Sequence, residues 1–286
     1  MMNTFDPHAL AIDLAEVRKV FATFFAARKQ SDWERRTEKF NQGWTLRQTV
    51  AHLDAVGQAY QHAITCALAG KPCQFPGMIQ RTDLPAWNRS QIEARAPIPI
   101  STICESFLNT LRQAEELATQ LEPASLTQGT HVPFYHRPIT IGELLGGLAA
   151  HPGMVHGAQV ANGAGVTPLW VHFGPDMLSR QITRFFHLMS LAYWPERGGN
   201  LQAVVALSAA GPGGGNWYVT MAPEGSQAAE GKYQRPSLRI WFRDANALCR
   251  ALTLQISPLR SLLTAQTFAW GDLRLGFQME WLFNPA

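Results

Sequence analysis

Between Asn162 and Pro168 the chain changes its hydrophobic period, and a single packing scheme cannot serve both sides of that change. Upstream the apolar residues recur at helical spacing. Asp6-Pro7 sets an N-cap residue before a proline at the first helical position, and Leu10, Leu14, Val17, Phe21 and Phe24 follow, which predicts an amphipathic helix to about residue 29. Thr45-Leu-Arg-Gln48 is a capping box, and Leu46, Val50, Leu53, Tyr60, Ile64 and Leu68 form the stripe of a second helix ending near Gly70. Residues 71 to 99 are rich in Pro, Arg and Asn and predict a long loop. A third helix is expected from Ser101 to about Gln120 on Ile103, Phe107, Leu111 and Leu117, and a fourth from Thr140, whose capping box closes on Glu143. Four helices, each with one apolar face, predict an antiparallel four-helix bundle over residues 1–163.

The stretch Asn162-Gly-Ala-Gly-Val-Thr-Pro168 ends the helical pattern. Beyond it a helix is expected over 175–193, then short strands over 201–209, 216–222 and 237–243, with Gly211-Pro-Gly-Gly-Gly215 as a hairpin loop. Asp244 opens a helix over 244–254, another covers about 258–266, and a closing stretch runs to Phe283. These elements predict an α+β second domain over 168–286, with Trp217, Trp241, Phe242, Trp281 and Phe283 in its core.

Composition narrows the function classes. A length of 286 residues with nine Trp suffices for two cores. The net charge of +3 comes without any Lys/Arg run, which speaks against nucleic acid or an anionic membrane as partner. Cys66, Cys73, Cys104 and Cys249 show no C-x-x-C spacing, which predicts free thiols in a reducing compartment and no zinc–thiolate site. No apolar run reaches the ~18 residues of a spanning helix, and a cytoplasmic location is expected. Nucleotide-binding glycine loops and nucleophile elbows are absent, and Gly211–Gly215 lacks the Lys-Ser/Thr that grips a phosphate.

Seven of the nine histidines fall within residues 1–163: His8, His52, His62, His131, His136, His151 and His156. His52 lies on the flank of the second helix near Val56, Ala59 and Ala63, small neighbours that leave room for an ion, although a helical His beside an apolar face is also an ordinary packing residue. His151 and His156 follow a run of small residues on the fourth helix. Five residues on a regular α-helix set two side chains about 140° apart, too far for one ion. Pro152-Gly153 lies between them, and two readings follow: a π-bulge that brings both onto one face, or a kink that leaves His151 in solvent and His156 as a packing residue.

Two of these segments resemble a known family. Gly43-Trp-Thr-Leu-Arg-Gln-Thr-Val-Ala-His52-Leu resembles the second-helix signature of DinB-like bundles and of the N-terminal domain of mycothiol-dependent maleylpyruvate isomerases, and His156-Gly-Ala-Gln159-Val-Ala resembles their fourth-helix motif. The likeness spans roughly residues 7–163 and implies a divalent ion held by His52 and His156. The family's third ligand stands four residues before the fourth-helix His, where this chain has Pro152, with His151 one place further. The segment from about 168 is similar to the sterol-carrier-protein fold, through Asn216-Trp-Tyr218, Pro236-Ser-Leu-Arg-Ile-Trp-Phe-Arg-Asp244 and Gly271-Asp-Leu-Arg-Leu275.

The expectation is therefore a metal-dependent enzyme with His52, His151 and His156 as ligands of a divalent transition metal, zinc or nickel foremost, and a low-molecular-weight thiol as cofactor for transfer or isomerisation of a small substrate. The sequence singles out no catalytic acid or base and no thiol-binding residue. The alternative is a non-enzymatic binding protein that carries an apolar ligand in the second domain. Homodimerisation through a bundle face is compatible with either.

Overall fold

The computed structural model describes residues 5–37 and 43–283 of the chain. Chain contacts divide it into two compact units, Met1–Pro133 with Pro138–His172, and Phe134–Arg137 with Phe173–Ala286. The first is a helical cluster and the second a mixed α/β sheet unit.

In the first unit α1 (Pro7–Ala26) starts as its sequence dictates, with the Asp6 carboxylate accepting the Ala9 amide at 3.0 Å. Helix α2 (Leu46–Leu68) opens on the reciprocal Thr45/Gln48 box. After α3 (Leu84–Arg95) comes α4 (Ile100–Gln120), and a two-stranded ladder of β1 (Gly129–Thr130) and β2 (Ile139–Thr140) leads into α5 (Ile141–Ala150), capped by Thr140 and Glu143. A π-helical turn, His151–His156, joins α5 to α6 (Gly157–Ala164). Helices α1 and α4 meet through Phe21 and Phe107, edge-on at 5.1 Å between ring centres, and through the Arg18–Glu115 ion pair at 2.9 Å. Gly57 lets α2 approach α4 closely: a Cβ there would stand 2.9 Å from the Thr110 methyl. Leu10, Leu14, Leu46, Leu53, Ile64, Phe107 and Leu111 fill the space between these helices and are wholly buried.

The expected loop over 71–99 is in fact partly helical. Asp83 accepts the Ile79 and Gln80 amides and so fixes the approach to α3, which buries only Trp87, Ile92 and Arg95, too few positions to show as a period.

The second unit begins with α7 (Pro175–Leu191) and the short α8 (Pro195–Gly198). Strands β3 (Ala203–Ala209), β4 (Gly215–Ala222), β5 (Gly225–Glu230), β6 (Leu238–Phe242) and β7 (Thr267–Gly271) form one sheet in the order β5-β4-β3-β6-β7. Strand β3 runs parallel to β6, and every other pairing is antiparallel. The Ala210–Gly214 segment makes the expected hairpin between β3 and β4. Helices α9 (Ala245–Leu252), capped by Asp244, α10 (Pro258–Leu263) and α11 (Leu273–Phe283) complete the unit. Helix α7 packs on β4 and β5, where Phe186 meets Trp217 and the Trp217 indole donates to Thr183 Oγ1 at 2.8 Å.

Strands β5 and β7 were not anticipated: Gly-Ser-Gln-Ala-Ala-Glu carries no β-branched or aromatic residue, and β7 is a five-residue edge strand. Of the expected core aromatics, Trp217, Phe242 and Phe283 are buried, whereas Trp281 is 61% exposed. Its ring instead covers the Arg197 guanidinium at 4.4 Å, with Trp194 on another side at 4.2 Å. Among the described residues no helix is long and apolar enough to cross a membrane.

Candidate metal centre

The site is assembled from α2 and from the turn that follows α5. Proline at 152 has no N–H for the α-helical bond and clashes with the carbonyl of residue 148, so the helix widens there instead of continuing. A turn closed between residues five apart returns His151 and His156 to one face. Of the two sequence readings for Pro152, this one describes the structure. Gly157 completes the turn, since a Cβ on it would lie 3.0 Å from the Pro152 carbonyl oxygen and 3.4 Å from Leu169.

The His151 and His156 imidazoles then stand with their Nε2 atoms 3.0 Å apart, and His52 of α2 faces both, at 5.5 Å and 4.8 Å between ring centres. One ring nitrogen from each of the three lies within 4.8 Å of the other two. His52 and His156 are buried and His151 is half-buried. Of the other histidines singled out, His62 lies at the far end of α2, and His136 donates through Nδ1 to the Leu191 carbonyl at 2.9 Å.

Hydrogen bonds around the cluster set its tautomers. His156 Nδ1–H donates to Gln159 Oε1 at 2.5 Å, which leaves its Nε2 as a lone pair; the 3.0 Å contact is then an N–H of His151 donating to it. His52 Nδ1 is buried and receives no hydrogen bond. Asn88 of α3 lies beside His52 and favours its protonated form, while its own Oδ1 is also buried without a partner. The Trp44 ring leans on His52 at 5.0 Å.

A second layer holds α3 against α2. The Arg95 guanidinium donates to Asp54 at 2.7 Å and to Gln58 at 2.9 Å, and Gln58 returns a bond to Asp54 at 3.0 Å. Asp54 and Arg95 are both buried, so each partner is needed to compensate the other's lost hydration.

All three imidazoles are held neutral at physiological pH. Burial is the leading cause for each, and mutual repulsion adds to it at His52 and His151, both driven well below the ordinary 6.5. For His156 burial brings the value to about 4, partly opposed by Gln159. Neutral imidazole is the form that ligates a metal.

The donor set fits a transition ion. Three imidazoles suit Zn or another first-row metal, and tetrahedral sites with Zn–N of ~2.0–2.1 Å place ligand nitrogens ~3.4 Å apart, near the 3.0 Å between the Nε2 atoms of His151 and His156. A void of about 10 Å³, room for a single water, adjoins His151 and Pro152 between α2, α4 and α5 and is too small for a substrate.

The sequence did not point to Asn88, Gln58 or Arg95. Gln159 was visible as part of the His156-Gly-Ala-Gln159 motif, and Trp44 stood in the α2 motif without a role.

No protein-family model matches the chain, and no curated protein matches it. Among solved structures it is similar to the crystal structure of the mycothiol-dependent maleylpyruvate isomerase, with a TM-score of 0.54 over 88% of this chain and 89% of that one at 11% identity. It is equally similar to a mutant of that isomerase in which one histidine is replaced by alanine, with a TM-score of 0.54, the same coverage of 88% and 89%, and 10% identity. At such identity the likeness is one of fold: a helical region followed by a mixed α/β sheet region.

Proposed function

We propose that this chain is a metal-dependent enzyme of the DinB/maleylpyruvate isomerase type, with His52, His151 and His156 as the protein ligands of a divalent transition ion, zinc or nickel. The observation that carries the reading is the convergence of three neutral, buried or half-buried imidazoles on one point. The fold likeness to a mycothiol-dependent isomerase supports the class and suggests a low-molecular-weight thiol as cofactor. The same reading takes residues 1–163 as a DinB-like four-helix bundle and 168–286 as a sterol-carrier-like domain.

The ion, when bound, supplies Lewis acidity that polarises a substrate oxygen and lowers the pKa of a thiol or water. The chain's own residues prepare its place. Gln159 holds the His156 ring through Nδ1 and keeps the proton off Nε2, the role an outer partner plays for a metal-binding histidine. The Asp54–Arg95–Gln58 network fixes α3, and with it Asn88, beside His52. Trp44 shields one side of His52 from water. Small-molecule substrates are the expected partners.

Calorimetric zinc and nickel titrations of the chelated protein test the ligand set. A Gln159→Leu variant is expected to lose about 10–100-fold in metal affinity and His52→Ala to lose the site. Thiol-dependent turnover of an electrophilic small substrate, present with metal and absent in His52→Ala, tests the activity. Unchanged metal binding in His52→Ala would remove the basis of the proposal.

A further inference from the structure

The far end of α2 carries a different cluster of ligating side chains. His62 and Cys66 stand four residues apart and share a helix face. The helix then stops at Leu68. Gly70 takes a left-handed φ of +62°, its amide donates to the Ala67 carbonyl at 3.0 Å, and the Lys71 amide donates to the Cys66 carbonyl at 2.9 Å. This turn sends the chain back along the helix and brings Cys73 alongside Cys66.

One ligating atom from each of His62, Cys66 and Cys73 lies within 4.8 Å of the other two. Cys66 Sγ is 3.8 Å from His62 Nε2. In a tetrahedral site with Zn–S of ~2.3 Å and Zn–N of ~2.0–2.1 Å, a sulfur and a nitrogen ligand stand ~3.6 Å apart and two sulfurs ~3.8 Å apart. The cluster therefore needs little rearrangement to close on an ion. The Gln74 carbonyl oxygen accepts from His62 Nε2–H at 3.1 Å, a bond that ligation through this nitrogen replaces as the proton moves to Nδ1. The buried Phe75 ring meets the His62 ring edge-on at 5.7 Å and limits its rotation.

We propose that His62, Cys66 and Cys73 form a binding site for a thiophilic transition cation of the zinc class, separate from the three-histidine centre. Ten residues of α2 separate His52 from His62, which amounts to ~15 Å along the helix axis. The spacing His-x3-Cys-x6-Cys lacks a C-x-x-C pair, and the proximity comes from the turn at Gly70, which is why no thiolate site was expected from the cysteine spacing. Ligation requires the thiols to give up their protons to solvent as the cation binds. Binding therefore strengthens as pH rises.

The test is a titration of the reduced full-length chain with Co²⁺, a spectroscopic substitute for zinc, without oxygen. Thiolate ligands give an intense near-ultraviolet charge-transfer band with cobalt, and an all-imidazole site gives none. The expected result is a band that saturates with bound cobalt, is abolished by zinc and persists in His52→Ala. The Cys66→Ser/Cys73→Ser double variant should lack it, and His62→Ala should weaken cobalt binding by about tenfold or more. Cys104 and Cys249 are buried and lie outside the cluster, so they do not contribute. A second arm needs no variant: zinc should slow alkylation of Cys66 and Cys73 in the native protein, read by peptide mass. No band at saturating cobalt with the thiols reduced, a band that survives in the double variant, or alkylation unaffected by zinc would each overturn the proposal.

Discussion

Without metal, the first unit should lose stability in mild acid through its buried imidazoles. For His156 the ordinary value of 6.5 falls to about 4 in the folded chain, burial outweighing the opposing bond to Gln159. The folded value is the lower one. Below pH 6.5 the unfolded chain therefore takes up a proton that the folded chain refuses until about pH 4. The contribution is complete above 6.5 and lost as pH falls from 6.5 to about 4. That gap corresponds to about 3 kcal/mol in all, of which about 2 kcal/mol is gone by about pH 5, against a total stability of roughly 5–15 kcal/mol for an ordinary domain. His52 and His151 are shifted in the same direction and add to the loss. The assay is urea unfolding of chelator-treated protein, followed by far-ultraviolet circular dichroism, at neutral pH and at about pH 5. Carboxylates also titrate in this range, so a His156→Gln variant serves as the reference. The wild type should lose about 2 kcal/mol more than the variant over that interval. Equal losses would refute the neutral, buried state assigned to His156. Zinc at about a thousandfold over its Kd should add about 4 kcal/mol at neutral pH, and progressively less as protons compete for the ligands.

Two further substitutions probe the scaffold. Gly157→Ala sets a methyl group 3.0 Å from the Pro152 carbonyl oxygen, a backbone atom that cannot swing aside, and should cost about 1–3 kcal/mol in denaturant unfolding while weakening zinc binding by prising His151 from His156. Arg95→Met strands the buried Asp54 carboxylate and should cost about 3–5 kcal/mol, most of it recovered in the Asp54→Leu/Arg95→Met double variant; a double variant no more stable than the single one would argue against the ion-pair account.

The sequence was most legible where local chemistry decides the outcome. The caps at Asp6, Thr45, Thr140 and Asp244 each start a helix in the structure, because a side-chain oxygen and a nearby amide suffice to specify a helix start. Helix α3 was not legible, since its position depends on the Asp54–Arg95 pair between residues 41 positions apart. Strand β5 was missed for a similar reason, since its neighbour in the sheet holds it and not its own propensity; β7 carries the strand formers Thr267, Phe268 and Trp270 but in a segment of only five residues. Around the histidines, Pro152 announced a departure from the α-helix, but only the three-dimensional turn decides between a widened helix and a kink. Asn88 comes to His52 from another helix and leaves no local pattern to read.

The most direct test of the central claim is anomalous diffraction from crystals grown with zinc, recorded on both sides of the zinc absorption edge. The account predicts an anomalous peak within ~2.0–2.1 Å of one nitrogen on each of His52, His151 and His156. No peak among these three rings in zinc-saturated crystals would contradict it.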